Sequence, residues 1–100
     1  MRETEIEKKL KARIELIGGK CFKFVSPGMN GMPDRICVLP GGEVFFVETK
    51  APGKKPRPLQ EKRHRELRAF GHKVYVVDTE EDIDEIQTAQ ISRIRNRQDI

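Results

Sequence analysis

VFFVETK, residues 44–50, is the strongest structural signal in the sequence. Its run of apolar residues predicts a buried β-strand, and Glu48 and Lys50 add two charges at the end of that strand. Because strand side chains alternate between the two faces, Glu48 and Lys50 point to the same side of the sheet. Burying a carboxylate and an ammonium there costs free energy unless both groups bind something. The stretch therefore predicts a strand that ends in a functional site.

A short turn joins this strand to the one before it. The turn comprises residues 40–42 (Pro-Gly-Gly), so Leu39 is predicted to pair with Glu43 in an antiparallel hairpin. Counting back along the ladder places Asp34 opposite Glu48, on the same side of the sheet and roughly 5 Å away at Cβ. Two carboxylates so placed repel each other unless a divalent cation lies between them. The turn therefore predicts a metal site at these two acids.

An amphipathic helix is predicted over residues 3–17, where apolar residues recur at helical spacing before a Gly-Gly stop. Glu3 and Glu7 lie four residues apart beside the apolar stripe, so either could project toward the edge of the sheet. Glu7 also fits a capping box, in which Thr4 is the N-cap and Glu7 bonds back to its backbone N–H. The residues leave both interpretations of Glu7 open.

Periodicity and turn residues predict the rest of the fold. The other elements are a strand (20–25), a loop (26–33), a strand (34–39), a helix (Pro58 or Leu59 to Phe70), an apolar strand (73–77) and a helix that opens at 78–85 and continues weakly to about residue 97. In the second helix, Leu59, Leu67 and Phe70 are predicted to point inward. The apolar strand is predicted to be central or parallel. The chain beyond Gln87 is predicted to be helical, frayed or packed on a second subunit.

Composition indicates one small, basic domain over residues 1–100, with its core over about 3–87. The 36% of apolar residues favours a thin two-layer fold or support from a partner subunit, and the net charge of +4 favours a polyanionic partner. Cys21 and Cys37 fall in strand-like runs and are predicted to be reduced core thiols. No segment has the pattern of a membrane span or a signal peptide, so a soluble, cytoplasmic protein is expected.

A basic run follows the charged strand. Between Lys54 and Lys73 the sequence holds eight Lys or Arg residues against two Glu. Such a run is usually a solvated helix face, but its place directly after the strand favours a surface for DNA phosphates. The candidate DNA-binding residues are Lys54, Lys55, Arg57, Lys62, Arg63 and His64. His64 lies one turn after Gln60 and could reach DNA, although His64 and His72 both fit ordinary surface or boundary positions.

The order of elements and charges resembles the PD-(D/E)xK nuclease superfamily. Pro33-Asp34 and Glu48-x-Lys50 stand fourteen residues apart, and within the superfamily the chain looks like a minimal, virus-type VRR-NUC domain. The resemblance spans roughly residues 3–86 and rests on FVSPG (24–28), GMPDRI (31–36), ETKAPG (48–53) and Leu59-Gln60. It implies a restriction-endonuclease-like α/β fold with a small mixed β-sheet flanked by α-helices. The V-R-R sequence that names the family is absent from this chain.

The resemblance implies a role for each residue of the charged strand. Asp34 and Glu48 would bind the metal, with the main-chain carbonyl of Thr49 as a further ligand. Lys50 would position the water nucleophile or help to deprotonate it. Magnesium takes oxygen ligands of this kind and lowers the pKa of a bound water, and manganese is expected to substitute for it.

Two further site residues follow from the same resemblance. Glu7 matches the helix-borne acid found in many members and would be a metal ligand and part of the catalytic site, with Glu3 as the fallback. Gln60 would face the site from the second helix and contact a metal-bound water, Lys50 or the scissile phosphate.

The activity that the resemblance implies is that of a divalent-metal-dependent DNA endonuclease. Lone-domain viral members imply a homodimer that acts on branched DNA such as four-way junctions, and a two-fold dimer would also cover apolar surface of a thin domain. The alternative is a non-catalytic DNA-binding module that uses the basic helix, residues 54–73. A third possibility is a small scaffold protein with no salt-dependent affinity for DNA.

Overall fold

The chain forms seven helices and strands within residues 1–98, the part that this computed structural model describes. In chain order they are α1 (Glu3–Leu16), β1 (Lys20–Lys23), β2 (Arg35–Val38), β3 (Val44–Thr49), α2 (Pro58–Ala69), β4 (Val74–Val77) and α3 (Glu80–Gln98). Their order and type agree with the prediction from sequence. β1 ends at Lys23, two residues short of its predicted end.

These strands form a mixed sheet in the order β1-β2-β3-β4. The pairs β1–β2 and β2–β3 are antiparallel, whereas β3 and β4 are parallel. A parallel pair needs a long crossover connection, which α2 provides. β4 is therefore parallel, as predicted, and it lies at the edge of the sheet. The predicted α/β fold, a small mixed sheet flanked by helices, is confirmed.

The β2–β3 hairpin closes as predicted. Leu39 donates its backbone N–H to the carbonyl oxygen of Glu43 over 2.9 Å. Gly41 and Gly42 each have a φ of 83°, in the left-handed region that glycine enters without steric cost. The Pro-Gly-Gly sequence therefore determines the length of the turn, and this length sets the register of the two strands.

One face of the sheet packs against α1 and α3 and forms the hydrophobic core. Its buried residues are Ile6, Leu10, Ile14, Cys21, Cys37, Leu39, Phe45, Val47, Val77, Ile83 and Ile86. Cys21 and Cys37 lie opposite each other on β1 and β2, with their Sγ atoms 3.4 Å apart and not bridged. The prediction of buried thiols in the core is therefore confirmed.

α1 begins at Glu3, with Arg2 as its N-cap residue. The Glu5 carboxylate accepts a hydrogen bond from the backbone N–H of Arg2 over 3.4 Å. The predicted capping box of Thr4 and Glu7 is therefore wrong, because the helix starts earlier and Glu5 takes the reciprocal position. Glu7 is half-buried on the sheet side of α1, where it faces the ends of β2 and β3.

The opposite face of the sheet packs against α2, and the side chains that α2 buries are polar. Gln60 and His64, four residues apart on one side of the helix, are 8% and 2% exposed. The prediction that Leu59 and Phe70 point inward is wrong, since they are 41% and 81% exposed. The physical reason is that Glu48 lies beneath α2, so the helix turns a polar side toward the sheet.

α3 starts after a cap formed by Thr79 and Asp82. The backbone N–H of Asp82 donates to the Thr79 hydroxyl over 3.2 Å, and the Asp82 carboxylate accepts the N–H of Thr79 over 3.3 Å. The helix then runs to Gln98, so the predicted helical pattern to about residue 97 is confirmed. Asp99 and Ile100, the end of the predicted tail, lie outside the described residues. No helix within residues 1–98 is both long and apolar enough to cross a membrane.

Candidate active site

The acids predicted from sequence lie where α1, β2 and β3 meet. Arg35 pairs with Val47 in the ladder, which places Asp34, one residue earlier, opposite Glu48. The carbonyl oxygen of Asp34 accepts the N–H of Phe24 over 2.8 Å, which ties the residue before β2 to the residue after β1. The two acids therefore meet at one end of the sheet, but the predicted shared side is wrong: the Asp34 carboxylate bonds Thr49 on the α1 side, whereas Glu48 turns toward α2.

Thr49 holds the carboxylate of Asp34. Its backbone N–H donates to Asp34 Oδ1 over 2.8 Å, and its hydroxyl oxygen lies 2.5 Å from Asp34 Oδ2 and 3.2 Å from Glu7 Oε1. A hydroxyl carries one proton, so Thr49 donates to one of these two carboxylates at a time. Two acids that share one hydroxyl proton repel each other, and a bound cation would remove that cost.

Glu3 joins Asp34 and Glu7 in a carboxylate cluster at the N-terminal end of α1. One oxygen of each residue lies within 4.8 Å of the others. Hard divalent cations take oxygen ligands of this kind, so the residues present fit such an ion. Glu3 and Glu7 are the two alternatives for the helix-borne acid, and the structure brings both of them to Asp34.

Glu48 turns toward α2 and is 4% exposed. Gln60 Nε2 lies 3.4 Å from its Oε2, and His64 Nε2 lies 3.5 Å from its Oε1. Burial, followed by the negative charge of Asp34, raises the pKa of Glu48 to about 7, against the opposing effect of Lys50. A cation close to this carboxylate would favour its ionised form.

Gln60 connects the lysine to the buried acid. Its Oε1 accepts hydrogen bonds from Lys50 Nζ and from the backbone N–H of Arg57, each over 2.8 Å. Its Nε2 donates toward Glu48 Oε2 over 3.4 Å. The bond from Arg57 satisfies a backbone group at the start of α2, which helps to orient the amide. The structure thus places Gln60 between Lys50 and Glu48, on the side of α2 that faces the sheet.

The interpretation of His64 as a surface or boundary residue is wrong. Its side chain is 2% exposed, enclosed between α2 and the sheet. Burial, followed by the positive charges of Arg68 and Lys50, lowers the pKa of His64, which favours the neutral imidazole. Its position four residues after Gln60 is the sequence signal for this placement, because residues at that spacing share one face of a helix.

Arg35 is a site residue that the sequence pattern did not reveal. Its side chain is 14% exposed, and its guanidinium donates to Glu7 Oε2 over 3.3 Å. Arg35 pairs with Val47, a core residue of β3, so its side chain lies on the face of the sheet that packs against α1. Arg35 thereby helps to orient Glu7, while Thr49 contacts the other oxygen of the same carboxylate.

Four of the predicted DNA-binding side chains are exposed. We call them the basic surface: Lys54, Lys55, Arg57 and Lys62. Arg63 instead ties the loop over residues 26–33 to α2, because its Nε donates to the carbonyl oxygen of Asn30 and its Nη1 pairs with Glu66, each over 3.0 Å. The basic surface lies on the connection from β3 to α2 and on α2 itself, and the backbone N–H of Arg57, one of its residues, donates to Gln60 Oε1.

Comparison with known proteins places the chain among nucleases with a restriction-endonuclease-like fold. A solved structure described as "VRR_NUC domain" matches with a TM-score of 0.79 and 35% sequence identity, over 84% of this chain and 91% of that chain. The chain belongs to the VRR-NUC family.

A phage protein supports the same assignment. "Putative nuclease p44" of Acyrthosiphon pisum secondary endosymbiont phage 1 is 51% identical over 81 residues, which make up 81% of this chain and 87% of that protein. No protein-family model matches the chain.

Proposed function

We propose that this protein is a divalent-metal-dependent DNA endonuclease, with magnesium as its metal and manganese as a substitute. The observation that carries the proposal is the carboxylate cluster of Glu3, Glu7 and Asp34 at the end of the sheet that also holds Glu48 and Lys50. Several acids beside a lysine suit the hydrolysis of a phosphodiester, because the acids bind a cation and the lysine acts on the water or on a phosphate oxygen.

The proposed metal ligands come from three elements of the fold. Asp34 and Glu48 lie at the facing ends of β2 and β3, the carbonyl oxygen of Thr49 follows Glu48, and Glu7 projects from α1. Glu3 is the second acid of α1 within reach of the same ion. A magnesium ion bound there would lower the pKa of a coordinated water and offset negative charge on the phosphate in the transition state.

The chain's own groups position the reaction. Lys50, held by Gln60 over 2.8 Å, would orient the attacking water or help to take its proton for an in-line attack on phosphorus. Thr49 holds Asp34 through its backbone N–H, so the carboxylate has little freedom to turn away from the ion. These contacts arrange the reacting groups before substrate binds, which lowers the cost of reaching the transition state.

The basic surface would bind the phosphate backbone of the DNA that enters the site. Lysine and arginine contacts of this kind position a duplex without reading its sequence, which suits an enzyme that selects DNA by shape. We propose branched DNA, such as four-way junctions, as the preferred substrate. Action on DNA inside a cell implies a cytoplasmic protein, in a host cell if the chain is viral.

A homodimer is the proposed assembly. Phe22, Val38 and Val44 lie on neighbouring strands, on the face of the sheet that α2 covers only in part, and are 50%, 39% and 46% exposed. A second copy would bury this apolar patch and present two metal sites to paired DNA strands. Light scattering should give twice the chain mass, and Val38→Asp should give a monomer. A monomeric wild type would contradict this assembly.

The deciding experiment incubates the protein with labelled four-way junction, linear duplex and single-stranded DNA, in magnesium, manganese or a chelator. Lys50→Ala and Asp34→Ala should abolish cleavage, whereas Lys8→Ala and Glu81→Ala, which alter exposed charges elsewhere, should not. Symmetrical cuts confined to the junction would support the dimer. No cleavage with either metal, together with DNA binding that neither the chelator nor the variants affect, would favour the non-catalytic binding module instead.

A further inference from the structure

Two buried polar atoms face each other across the α2–sheet interface. Glu48 Oε1 and His64 Nε2 each lack a hydrogen-bond partner within residues 1–98, and they lie 3.5 Å apart. Leaving a buried polar atom unpaired destabilises the folded state, so such pairs are rare in folded proteins. Two atoms in this state, at a separation that a small adjustment would turn into a hydrogen bond, point to an interaction between them.

The chemistry of the pair favours a hydrogen bond from the histidine to the acid. A neutral imidazole carries its proton on one of the two ring nitrogens, and a carboxylate opposite Nε2 selects the tautomer that donates from that atom. Gln60 Nε2 approaches the other oxygen of Glu48 at 3.4 Å. The carboxylate thus has one potential donor from α2 for each of its oxygens.

We propose that His64 is a positioning residue for Glu48: its Nε2–H and the amide of Gln60 together fix the orientation of the carboxylate that binds the metal. This inference rests on the proposed function of Glu48 as a metal ligand. Partners that orient metal ligands typically change metal affinity or activity by about 10–100-fold when they are removed. His64 itself touches neither the metal nor the DNA.

A purely structural role for His64 makes a different prediction. If the side chain only filled space between α2 and β4, a leucine of similar size would serve equally well and would not leave an unpaired nitrogen beside a carboxylate. His64→Leu should then bind metal and cleave DNA as the wild type does. His64→Gln separates the two roles, because the glutamine amide can supply an N–H near the position of Nε2.

The test measures binding of Mn²⁺ alone to the free protein by electron paramagnetic resonance, together with DNA cleavage and the thermal unfolding midpoint. His64→Leu should remain folded and bind Mn²⁺ roughly 10-fold or more weakly, with a matching rise in the metal concentration needed for cleavage. His64→Gln should recover most of the affinity. His72→Leu, which changes the other, exposed histidine, should behave as the wild type.

Each other result has a distinct meaning. Mn²⁺ affinity and cleavage by His64→Leu equal to those of the wild type would overturn the inference. So would a His64→Gln variant that is folded and as defective as His64→Leu, because the volume of the side chain would then matter and its N–H would not. A wild type that neither binds Mn²⁺ nor cleaves DNA would instead overturn the proposed function itself.

Discussion

Lys50 and Gln60 are joined by a hydrogen bond of 2.8 Å that ties the end of β3 to the first turn of α2. Removing the amide should let the lysine turn away from Glu48. Gln60→Leu is therefore expected to lower the single-turnover cleavage rate by roughly 10–100-fold while DNA affinity stays the same. Gln90→Leu, at a buried glutamine of α3, is the control and should leave the rate unchanged. A Gln60→Leu enzyme as fast as the wild type would exclude this role.

Glu48 should make the metal-free protein less stable as the pH rises. Its folded pKa of about 7 lies above the ordinary value of 4.5, so between these values the unfolded chain loses a proton that the folded protein keeps. The contribution of Glu48 to the free energy of unfolding is fully present below pH 4.5. It is lost as the pH rises to about 7, and the loss is at most roughly 3 kcal/mol. The lowered pKa of His64 has the opposite effect, because it makes the folded protein more stable relative to the unfolded chain as the pH rises.

Comparing the wild type with Glu48→Gln separates the effect of Glu48 on stability from the effect of His64. With a chelator present, the free energy of unfolding of the variant minus that of the wild type should increase as the pH is raised from 4.5 to 7. The reason is that Glu48 ionises in this range and glutamine does not. Urea unfolding at a series of pH values measures the difference. If the free energies of unfolding of the two proteins changed with pH in parallel, Glu48 would not keep its proton when it is buried.

Gly31 should tolerate no side chain. Its φ of 87° lies in the left-handed region, and an added Cβ would lie 2.9 Å from both the carbonyl oxygen and Cγ of Leu59. Gly31→Ala is expected to lower the free energy of unfolding by roughly 1–3 kcal/mol. Gly28→Ala, in the same loop with nothing within 4 Å, should change it by less than about 0.5 kcal/mol. Equal effects in denaturant unfolding would contradict the packing of this loop on α2.

The basic surface should control the salt dependence of DNA binding. Replacing Lys54, Lys55 and Arg57 by glutamine removes three charges that release counterions, so the slope of log affinity against log salt should become shallower by about one for each phosphate that is no longer neutralised. Arg95→Gln is the control, since Arg95 is exposed on α3, on the far side of the sheet. Fluorescence anisotropy in a salt series measures the slopes. If only Arg95→Gln changed the slope, the DNA would bind away from the basic surface.

The parts of the site that local chain geometry determines could be predicted from the sequence. The position of Asp34 opposite Glu48 follows from a turn of three residues and from the two-residue repeat of a strand, both of which are visible in the sequence. The same repeat places Lys50 on the side of Glu48. The distance along the chain from these acids to α1 is long, so the sequence could not separate Glu3 from Glu7, and the structure brings both to Asp34.

The contacts between α2 and the sheet could not be predicted in the same way. Helical periodicity assigns apolar residues to the inner face, which led to the wrong placement of Leu59 and Phe70. The inner face is polar because it meets the buried carboxylate of Glu48, a contact that depends on how the crossover between β3 and β4 packs. For the same reason helical periodicity does not reveal that His64 is buried, although its spacing from Gln60 places the two residues on one face.

The polar inner face of α2 also has a consequence for local stability. A helix that fully buries no apolar side chain gains little from apolar burial, so α2 should detach from the sheet at a lower free-energy cost than α1, which buries Ile6, Leu10 and Ile14 completely. Lys50 and Glu48 lose their partners on α2 whenever it detaches. The docking equilibrium of this one helix, more than the global stability of the fold, should therefore set the fraction of molecules in which α2 holds Lys50 and Glu48 in place.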